Sequence, residues 1–466
     1  MSRLTCNALE SKSHFMKIAY IAAGAGGMYC GSCIHDNTLA AALIRKGHEV
    51  ALIPTYTPLR TDETNVTVDK IFYGGINVYL EQKFSLFRHT PRLLDKILNR
   101  PALLNWVSRF SASTDARELG ALTVSILAGE EGRQKKELLK LIDWLKESYR
   151  PEIVQLTNSM FLGMAREIKK ALGVPVLCAV QGEDIFLKDL VEPHKSQALQ
   201  LLRERARDVD GFIATSQYYA DFMAKFLQVP LEKMYIVRLG INLQGHGSAQ
   251  NLNGNTKFVV GYLARLCPEK GLHLLVEAFH QLTQKLGKNA VQLKVAGYLG
   301  ARDRRYFENL IKQIDAWGLS EAFHYYGEVN RAEKIDFLNS LHVLSVPTTY
   351  QEPKGLFVLE ALANGVPVVQ PRHGTFPEMI SLTEGGILVE PNSPKALAEG
   401  IEKLMHDVRL REQLSQQGKS VVQRLFNDEV MAEATIEVYQ QYLQSSISPQ
   451  TSATLVHARS HTLTRF

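Results

Sequence analysis

The chain has 466 residues, of which 45% are hydrophobic and 22% charged, with a formal net charge of +5. At about 100 to 200 residues per domain, this length predicts two large domains, and the composition excludes a small stapled module and wholesale disorder. The mild charge does not indicate nucleic-acid binding. The sequence has few cysteines and shows neither a signal-peptide pattern nor a membrane-spanning run, so it predicts a cytoplasmic protein.

After an N-terminal extension, 1–15, the chain alternates short apolar runs with helical patterns as far as residue 240. The opening run KIAYIAA, the helical pattern NTLAAALIRKG and the run HEVALIP form a βαβ unit, which predicts a parallel sheet. Further strand candidates are EIVQL, VPVLCAV, GFIATS and MYIVRL. Residues 16–240 are therefore predicted to form one doubly wound domain.

A stretch rich in Gly and Asn, 241–256, has few apolar side chains and is predicted to link two domains. Residues 257–425 repeat the alternation, with strand candidates KFVVGYLARL, VQLKVAGYL, AFHYYGEV, HVLSVPTT, VPVVQP and GILVEP. A C-terminal helix, 426–444, and a disordered polar tail, 445–466, are predicted to follow. The expected fold class is α/β, with two doubly wound, Rossmann-like domains whose strand carboxyl ends face one cleft.

The strongest functional pattern is PTTYQEPKGLFVLEALANGVPVVQP, in which a strand is followed by a polar loop and a helix. Free N–H groups at the helix start, at Gly355, Leu356 and Phe357, favour the phosphate oxygens of a nucleoside diphosphate. Glu360, one turn into the helix, is placed to accept ribose hydroxyl hydrogens, and Glu352, two residues before Lys354, to meet a sugar. For an isolated pair of Glu, ordinary surface carboxylates would be the simpler interpretation.

Two cations, Arg265 and Lys270, follow the first strand of the second domain in GYLARLCPEKGL. Strand ends in a doubly wound sheet can face a common crevice, so these side chains are placed to offset the charge that grows on a departing diphosphate. Both are expected in exposed loops, and the alternative is a solvated basic loop without a ligand.

GYLARLCPEKG and EPKGLFVLE together resemble the retaining GT-B glycosyltransferases of family 4, and the similarity runs from residue 16 to about 443. The resemblance implies that the two cations bind the donor diphosphate, that Glu360 binds the ribose and that Glu352 binds the transferred sugar. The segment HGTFPEM, which contains Gly374, resembles the next donor-side loop. The residues predicted to act in catalysis are Glu352, Arg265 and Lys270, and those predicted to bind the donor are Gly26, Gly27, Lys354, Gly355, Leu356, Glu360 and Gly374.

The first domain carries a glycine-rich loop after its first strand, and in the family this loop faces the donor phosphates. Gly26 and Gly27 are assigned to donor binding on this basis. The loop does not match the dinucleotide-binding fingerprint, because Tyr29 stands where the third glycine would be.

The segment AVQGEDIFL is predicted to border the acceptor and the reacting sugar, through Gln181, Gly182 and Asp184. Many relatives have His before this Gly, and an amide in its place cannot act as a general base. Asp184 matches the acidic position of the family motif, with helix capping or another structural role as its alternative.

Two further segments have open interpretations. Cys30 and Cys33 lie at a predicted helix start, where thiols can be acidified, but a packing role is favoured over a redox role. Segment 81–111 mixes basic and apolar residues, and a helical insertion packed on the first domain is favoured over weak contact with a membrane surface.

The sequence therefore predicts a glycosyltransferase that moves a sugar from a nucleotide-diphosphate-sugar donor to an acceptor hydroxyl with retention of configuration. No metal or other cofactor is expected, because cations and a helix dipole would offset the charge of the leaving group. The expected partners are the nucleotide-sugar donor and a carbohydrate, lipid or small-molecule acceptor, without nucleic acid. A glycogen-synthase-like polymerising enzyme, a nucleotide-sugar-binding scaffold without turnover and a thiol oxidoreductase are the alternatives.

Overall fold

The computed structural model describes residues 15–24, 29–73, 116–247 and 257–447. Several predictions concern residues outside these ranges: the donor-binding roles of Gly26 and Gly27, the insertion at 81–111, and most of the N-terminal extension, the linker and the tail.

The first domain contains a parallel sheet covered by helices. Its strands are β1 (Lys17–Ala23), β2 (Glu49–Thr55), β3 (Ile153–Leu156), β4 (Val176–Val180), β5 (Gly211–Ala214) and β6 (Met234–Ile236). Its helices are α1 (Gly31–Arg45), α2 (Ala116–Leu127), α3 (Lys135–Trp144), α4 (Ala165–Leu172), α5 (Glu183–Asp189), α6 (His194–Arg205) and α7 (Gln217–Leu227). The strand order is β2-β1-β3-β4-β5-β6.

Alternate residues of β1 belong to separate buried clusters, because successive side chains of a strand point to opposite faces of the sheet. Ala19 and Ile21 lie in one cluster, while Ile18 and Tyr20 lie in the other. Burial on both faces explains why the strands read as continuous apolar runs.

The second domain repeats this design. Its strands are β7 (Phe258–Leu263), β8 (Val291–Ala296), β9 (Phe323–Tyr325), β10 (Val343–Leu344), β11 (Val368–Pro371) and β12 (Gly386–Val389). Its helices are α8 (Leu272–Leu286), α9 (Arg304–Ala316), α10 (Arg331–Asn339), α11 (Leu356–Ala363), α12 (Phe376–Thr383), α13 (Pro394–His406) and α14 (Val408–Leu425). The strand order is β12-β11-β10-β7-β8-β9, and all pairs are parallel.

The order of the second sheet reverses between β7 and β10, which pair directly through Val343 with Val260 and Leu344 with Gly261. Crevices at such a switch point are the usual ligand sites of open α/β sheets. The loop with Arg265 follows β7 and the loop with Glu352 follows β10, so the fold places these loops side by side.

A last helix, α15 (Asp428–Ile447), returns from the second domain to the first. Met431 and Tyr439 are buried in the cluster beneath β1, and Arg45 on α1 forms an ion pair with Asp428. The helix continues three residues beyond the predicted end, so the start of the predicted disordered tail is helical. In the described ranges, no helix is both long and apolar enough to span a membrane.

Candidate active site

A cavity of about 440 Å³ lies between the domains, at the carboxyl ends of their strands. The predicted site residues that border it are Gln181, Gly182, Arg265, Lys270, Glu352, Lys354, Leu356 and Glu360. Residues predicted from separate motifs in both domains therefore meet at one place.

Glu352 is buried at the centre of a hydrogen-bonded cluster, with 4% of its surface exposed. Its Oε2 accepts hydrogen bonds from Lys270 Nζ and Tyr350 Oη, both at 2.7 Å, and its Oε1 accepts from the amides of Lys354 at 3.4 Å and Gly355 at 3.3 Å. Burial acts to raise the pKa of Glu352, but the Lys270 ammonium and these donors outweigh burial and hold it below its usual value. Glu352 is therefore an ionised carboxylate in the cavity wall.

Two expectations need correction here. The Lys270 side chain is only 15% exposed because it pairs with Glu352, so it does not lie in an exposed loop. The Gly355 N–H is not free for phosphate, because the Glu352 carboxylate accepts it. The amides of Leu356 and Phe357 remain in the first turn of α11, where N–H groups have no intrahelical acceptor.

Glu360 is also buried, so the interpretation of the two Glu as surface carboxylates is wrong. Lys334 Nζ on α10 lies 2.5 Å from Glu360 Oε1 and 2.5 Å from Asp62 Oδ2, which belongs to the first domain. Burial raises the pKa of Glu360, and Lys334 offsets only part of that effect. Burial opposes the charge of Lys334 as well, but the two carboxylates raise its pKa to about 12.

Two other cations of the cavity have no carboxylate partner among the described residues. Arg265 is exposed to the cavity, as predicted. Lys354 reaches across to the first domain, where its Nζ donates to Ser32 Oγ at 2.7 Å and Gln181 Oε1 at 3.2 Å. This part of the cavity therefore carries positive charge that no described carboxylate neutralises, which favours an anionic ligand.

Gln181 is held in one orientation by buried neighbours. Its Nε2 donates to Asp36 Oδ1 at 2.8 Å and to the Thr157 carbonyl at 2.9 Å, which turns Oε1 toward Lys354. Asp36 is 1% exposed and also accepts a hydrogen bond from Tyr20 Oη at 2.6 Å. The amide thus connects the core of the first domain to a cation of the second.

Gly182 makes a close approach between the domains. Its φ is +103°, and a Cβ there would lie 2.8 Å from Pro353 Cγ, so a side chain would push the cleft apart. Asp184 accepts hydrogen bonds from Tyr219 Oη and Lys188 Nζ, both at 2.8 Å, and is not among the residues that border the cavity. This position favours the structural alternative for Asp184.

Gly374 does not border the cavity either, but it supports the Glu352 loop. It has a φ of +59°, and a Cβ at this position would lie 2.5 Å from both the backbone N and O of Glu352. The Thr375 N–H also donates to the Glu352 carbonyl at 2.8 Å.

The polar residues of the site that sequence reasoning missed include Asp36, Asp62 and Lys334. None belongs to a recognisable motif, and Lys334 meets Asp62 across 272 positions of the chain. A weak signal was available for Asp36, because an acidic residue on the apolar face of the first helix needs buried partners.

Comparison with known proteins assigns both halves of the chain. The model of the glycosyl transferase 4-like domain matches residues 37–240, and that of glycosyl transferases group 1 matches residues 247–421. The structure of sucrose-phosphate synthase from Thermosynechococcus elongatus superimposes with a TM-score of 0.68 and 19% identity, covering 92% of this chain and 99% of that one. The chain is a GT-B glycosyltransferase.

Other relatives of this glycosyltransferase extend over most of its length. An uncharacterised glycosyltransferase of Methanocaldococcus jannaschii is 24% identical over 88% of this chain and 94% of its own. The structure of Anabaena HepE in complex with UDP-glucose has a TM-score of 0.63 and 17% identity, and it covers 91% of this chain and 100% of its own. The structural likenesses confirm the predicted GT-B fold of two Rossmann-like domains, whereas retention of configuration stays a prediction.

Proposed function

We propose that this glycosyltransferase takes a sugar from a nucleoside-diphosphate donor and transfers it to an acceptor hydroxyl with retention at the anomeric carbon. The observation that carries the proposal is the arrangement of charges around the cavity. Arg265 and Lys354 lack carboxylate partners among the described residues, whereas Glu352 and Glu360 each have a lysine partner. A donor with an anionic centre and hydroxyl groups on both sides fits this pattern.

The diphosphate is proposed to lie against Arg265, Lys270 and the first turn of α11. The two cations offset the charge that develops on the leaving phosphate, and the amides of Leu356 and Phe357 add their dipoles at the helix start. These groups would do the work of a metal ion, so the proposed reaction needs none. Structures of Anabaena HepE hold UDP and UDP-glucose, which supports a donor of this class.

Glu360 is proposed to bind the ribose, and Glu352 the sugar that is transferred. Glu360 is one turn into α11 and held by Lys334, so its carboxylate is fixed where a nucleoside would follow the diphosphate. Glu352 is ionised and held in place by four donors, and a sugar hydroxyl can replace one of its long contacts with the Lys354 and Gly355 amides. Gln181 stands opposite and cannot exchange a proton near neutral pH.

The leaving phosphate oxygen is therefore proposed to accept the proton of the acceptor hydroxyl on the same face of the sugar. The bond from the anomeric carbon to phosphate breaks as the bond to the acceptor oxygen forms. Arg265 and Lys270 stabilise the phosphate until it takes the proton. No enzymic nucleophile is needed for retention by this route.

Calorimetric titration with UDP, GDP and ADP tests the assignment of the two Glu. The Glu360→Gln variant is expected to bind its nucleoside diphosphate about 10 to 100-fold more weakly, on the scale of a hydrogen bond to a charged group. The Glu352→Gln variant should bind it within about threefold of the parent, or more tightly, because Lys270 is freed from its carboxylate.

Glu399→Gln provides the matched control, since the Glu399 side chain is 64% exposed on α13, and it should bind like the parent. Circular dichroism establishes that each variant is folded. Equal losses of affinity in the two cavity variants would show that the nucleoside and sugar ends have been misassigned.

A further inference from the structure

Cys30 and Cys33 form a pair of free thiols where α1 begins, at the edge of the cleft. Cys30 is the N-cap residue, with extended dihedral angles of φ −117° and ψ 131°, and Cys33 lies in the first turn. Residues three apart at a helix start are close neighbours, and the C-x-x-C spacing suits a reversible disulfide.

The two sulfurs differ in access. Cys30 is partly exposed and borders the cavity. Cys33 is 2% exposed and lies behind it, with Sγ donating to the Ala23 carbonyl at 3.3 Å. The two side chains lie close enough for each to shift the pKa of the other. The Cys30 sulfur can therefore react with a reagent from the cleft, and the Cys33 sulfur is placed to react with Cys30 afterwards.

The surroundings of Cys30 favour its thiolate. The neighbouring Cys33 side chain and the Lys354 ammonium act against the effect of burial, so the pKa of Cys30 is held well below the usual value. In the described part of the chain, the hydrogen bonds of Lys354 go to the neutral oxygens of Ser32 and Gln181. The neighbouring Cys30 side chain and burial raise the pKa of Cys33, which keeps its proton.

The other described cysteines have opposite surroundings. Burial raises the pKa of both Cys178 and Cys267, and neither has a second described cysteine nearby in the sequence. They provide internal references for reactivity in the same chain.

We propose that Cys30 and Cys33 are a modification site: an oxidisable dithiol in the wall of the cleft that reacts with hydroperoxides. This role goes beyond sugar transfer. Because Cys30 borders the cavity with Arg265 and Glu352, oxidation changes the wall of the substrate site itself.

The chemistry needs only the two thiols and the hydroperoxide. The Cys30 thiolate attacks one peroxide oxygen, the O–O bond breaks, and the leaving alkoxide takes up the proton that Cys30 released, giving an alcohol and a sulfenic acid on Cys30. The Cys33 sulfur then attacks the Cys30 sulfur, the S–O bond breaks, and hydroxide leaves as water with the Cys33 proton. Two thiols lose two hydrogen atoms, and the hydroperoxide is reduced to alcohol and water.

Alkylation with iodoacetamide at pH 7, followed by peptide mapping, measures the first requirement. Cys30 is expected to react at least about tenfold faster than Cys178 or Cys267 in the full chain. Lys354→Met should slow this reaction by roughly threefold or more, as expected for loss of one nearby charge. Equal rates at Cys30 and Cys267 would overturn the proposal.

Treatment with hydrogen peroxide measures the second requirement. The peptide that carries Cys30 and Cys33 should lose two hydrogen atoms and regain them with dithiothreitol. Cys33→Ser should instead give a sulfenic acid that dimedone traps, Cys30→Ser should leave Cys33 reduced, and Cys267→Ser should behave like the parent.

If Cys30→Ser does not fold, the parent and Cys33→Ser still decide the question. A parent that keeps both thiols after peroxide treatment refutes the proposal. Since no nucleotide is present in either assay, the result is independent of the proposed transfer reaction.

Discussion

Replacing Lys270 by Met is expected to destabilise the second domain, whereas replacing Arg265 by Met is not. The reason is that Lys270 has a buried carboxylate partner, which would lose its cation. Lys270 is 15% exposed and its partner Glu352 5%, so the variant leaves a buried carboxylate without its cation. Arg265 is exposed and has no carboxylate partner among the described residues, so its loss uncovers no buried charge.

The size of the effect follows from the contacts that remain. Breaking a buried ion pair costs about 3 to 5 kcal/mol, and the hydrogen bonds that Glu352 keeps reduce this to about 2 to 3 kcal/mol. For a domain of this size, each kcal/mol lowers Tm by roughly 2 to 4 °C, so Lys270→Met should melt about 5 to 10 °C below the parent.

Differential scanning calorimetry without nucleotide measures this difference. The double variant Lys270→Met, Glu352→Gln is expected to recover part of the loss, because it leaves no unpaired buried charge. Melting of Lys270→Met within about 1 °C of Arg265→Met would refute the reasoning. Both single variants should still lose transfer by roughly two to four orders of magnitude, through the missing phosphate contact.

Gln181→His should keep the rate of transfer within about tenfold of the parent, because an imidazole can still donate one hydrogen bond. Steady-state rates measure this, and activity found only in the variant would contradict it. Gly374→Ala should lower turnover by more than about tenfold, because its Cβ would displace Glu352. Gly287→Ala is the control: Gly287 also has a positive φ but has open space around it, so this variant should keep its turnover. Burial lowers the pKa of His246 to about 3, so the stability it contributes is present above pH 6.5 and lost as the pH falls toward 3. Urea unfolding across that range should show a flatter pH dependence in His246→Gln, and an unchanged one would count against a half-buried, neutral imidazole.

The fold could be predicted because parallel strands buried on both faces leave continuous apolar runs, and the runs around β1 and β7 are of this kind. The cavity followed from topology, since Arg265 and Glu352 come directly after neighbouring strands. The partners of these residues could not be predicted in the same way. The contact of Lys334 with Asp62 depends on how two separate domains pack together. Residue spacing within either domain does not predict that packing.

The ionisation of the site carboxylates could not be predicted from the sequence either. Glu352 and Glu360 are both acidic residues of one motif, yet their pKa values shift in opposite directions. The difference comes from the donors that each carboxylate meets after folding. Asp184 matches a family motif, yet its carboxylate accepts hydrogen bonds from Tyr219 and Lys188 and does not border the cavity.

The most direct test of the account is proton NMR of the purified protein with UDP-, GDP- and ADP-sugars and a pool of sugar acceptors. We expect one donor to release its nucleoside diphosphate and the first product to keep the anomeric configuration of that donor. Arg265→Met should abolish the signal without loss of fold. Inverted product would contradict retention, and binding without release from any donor would contradict transfer and favour a nucleotide-sugar-binding scaffold.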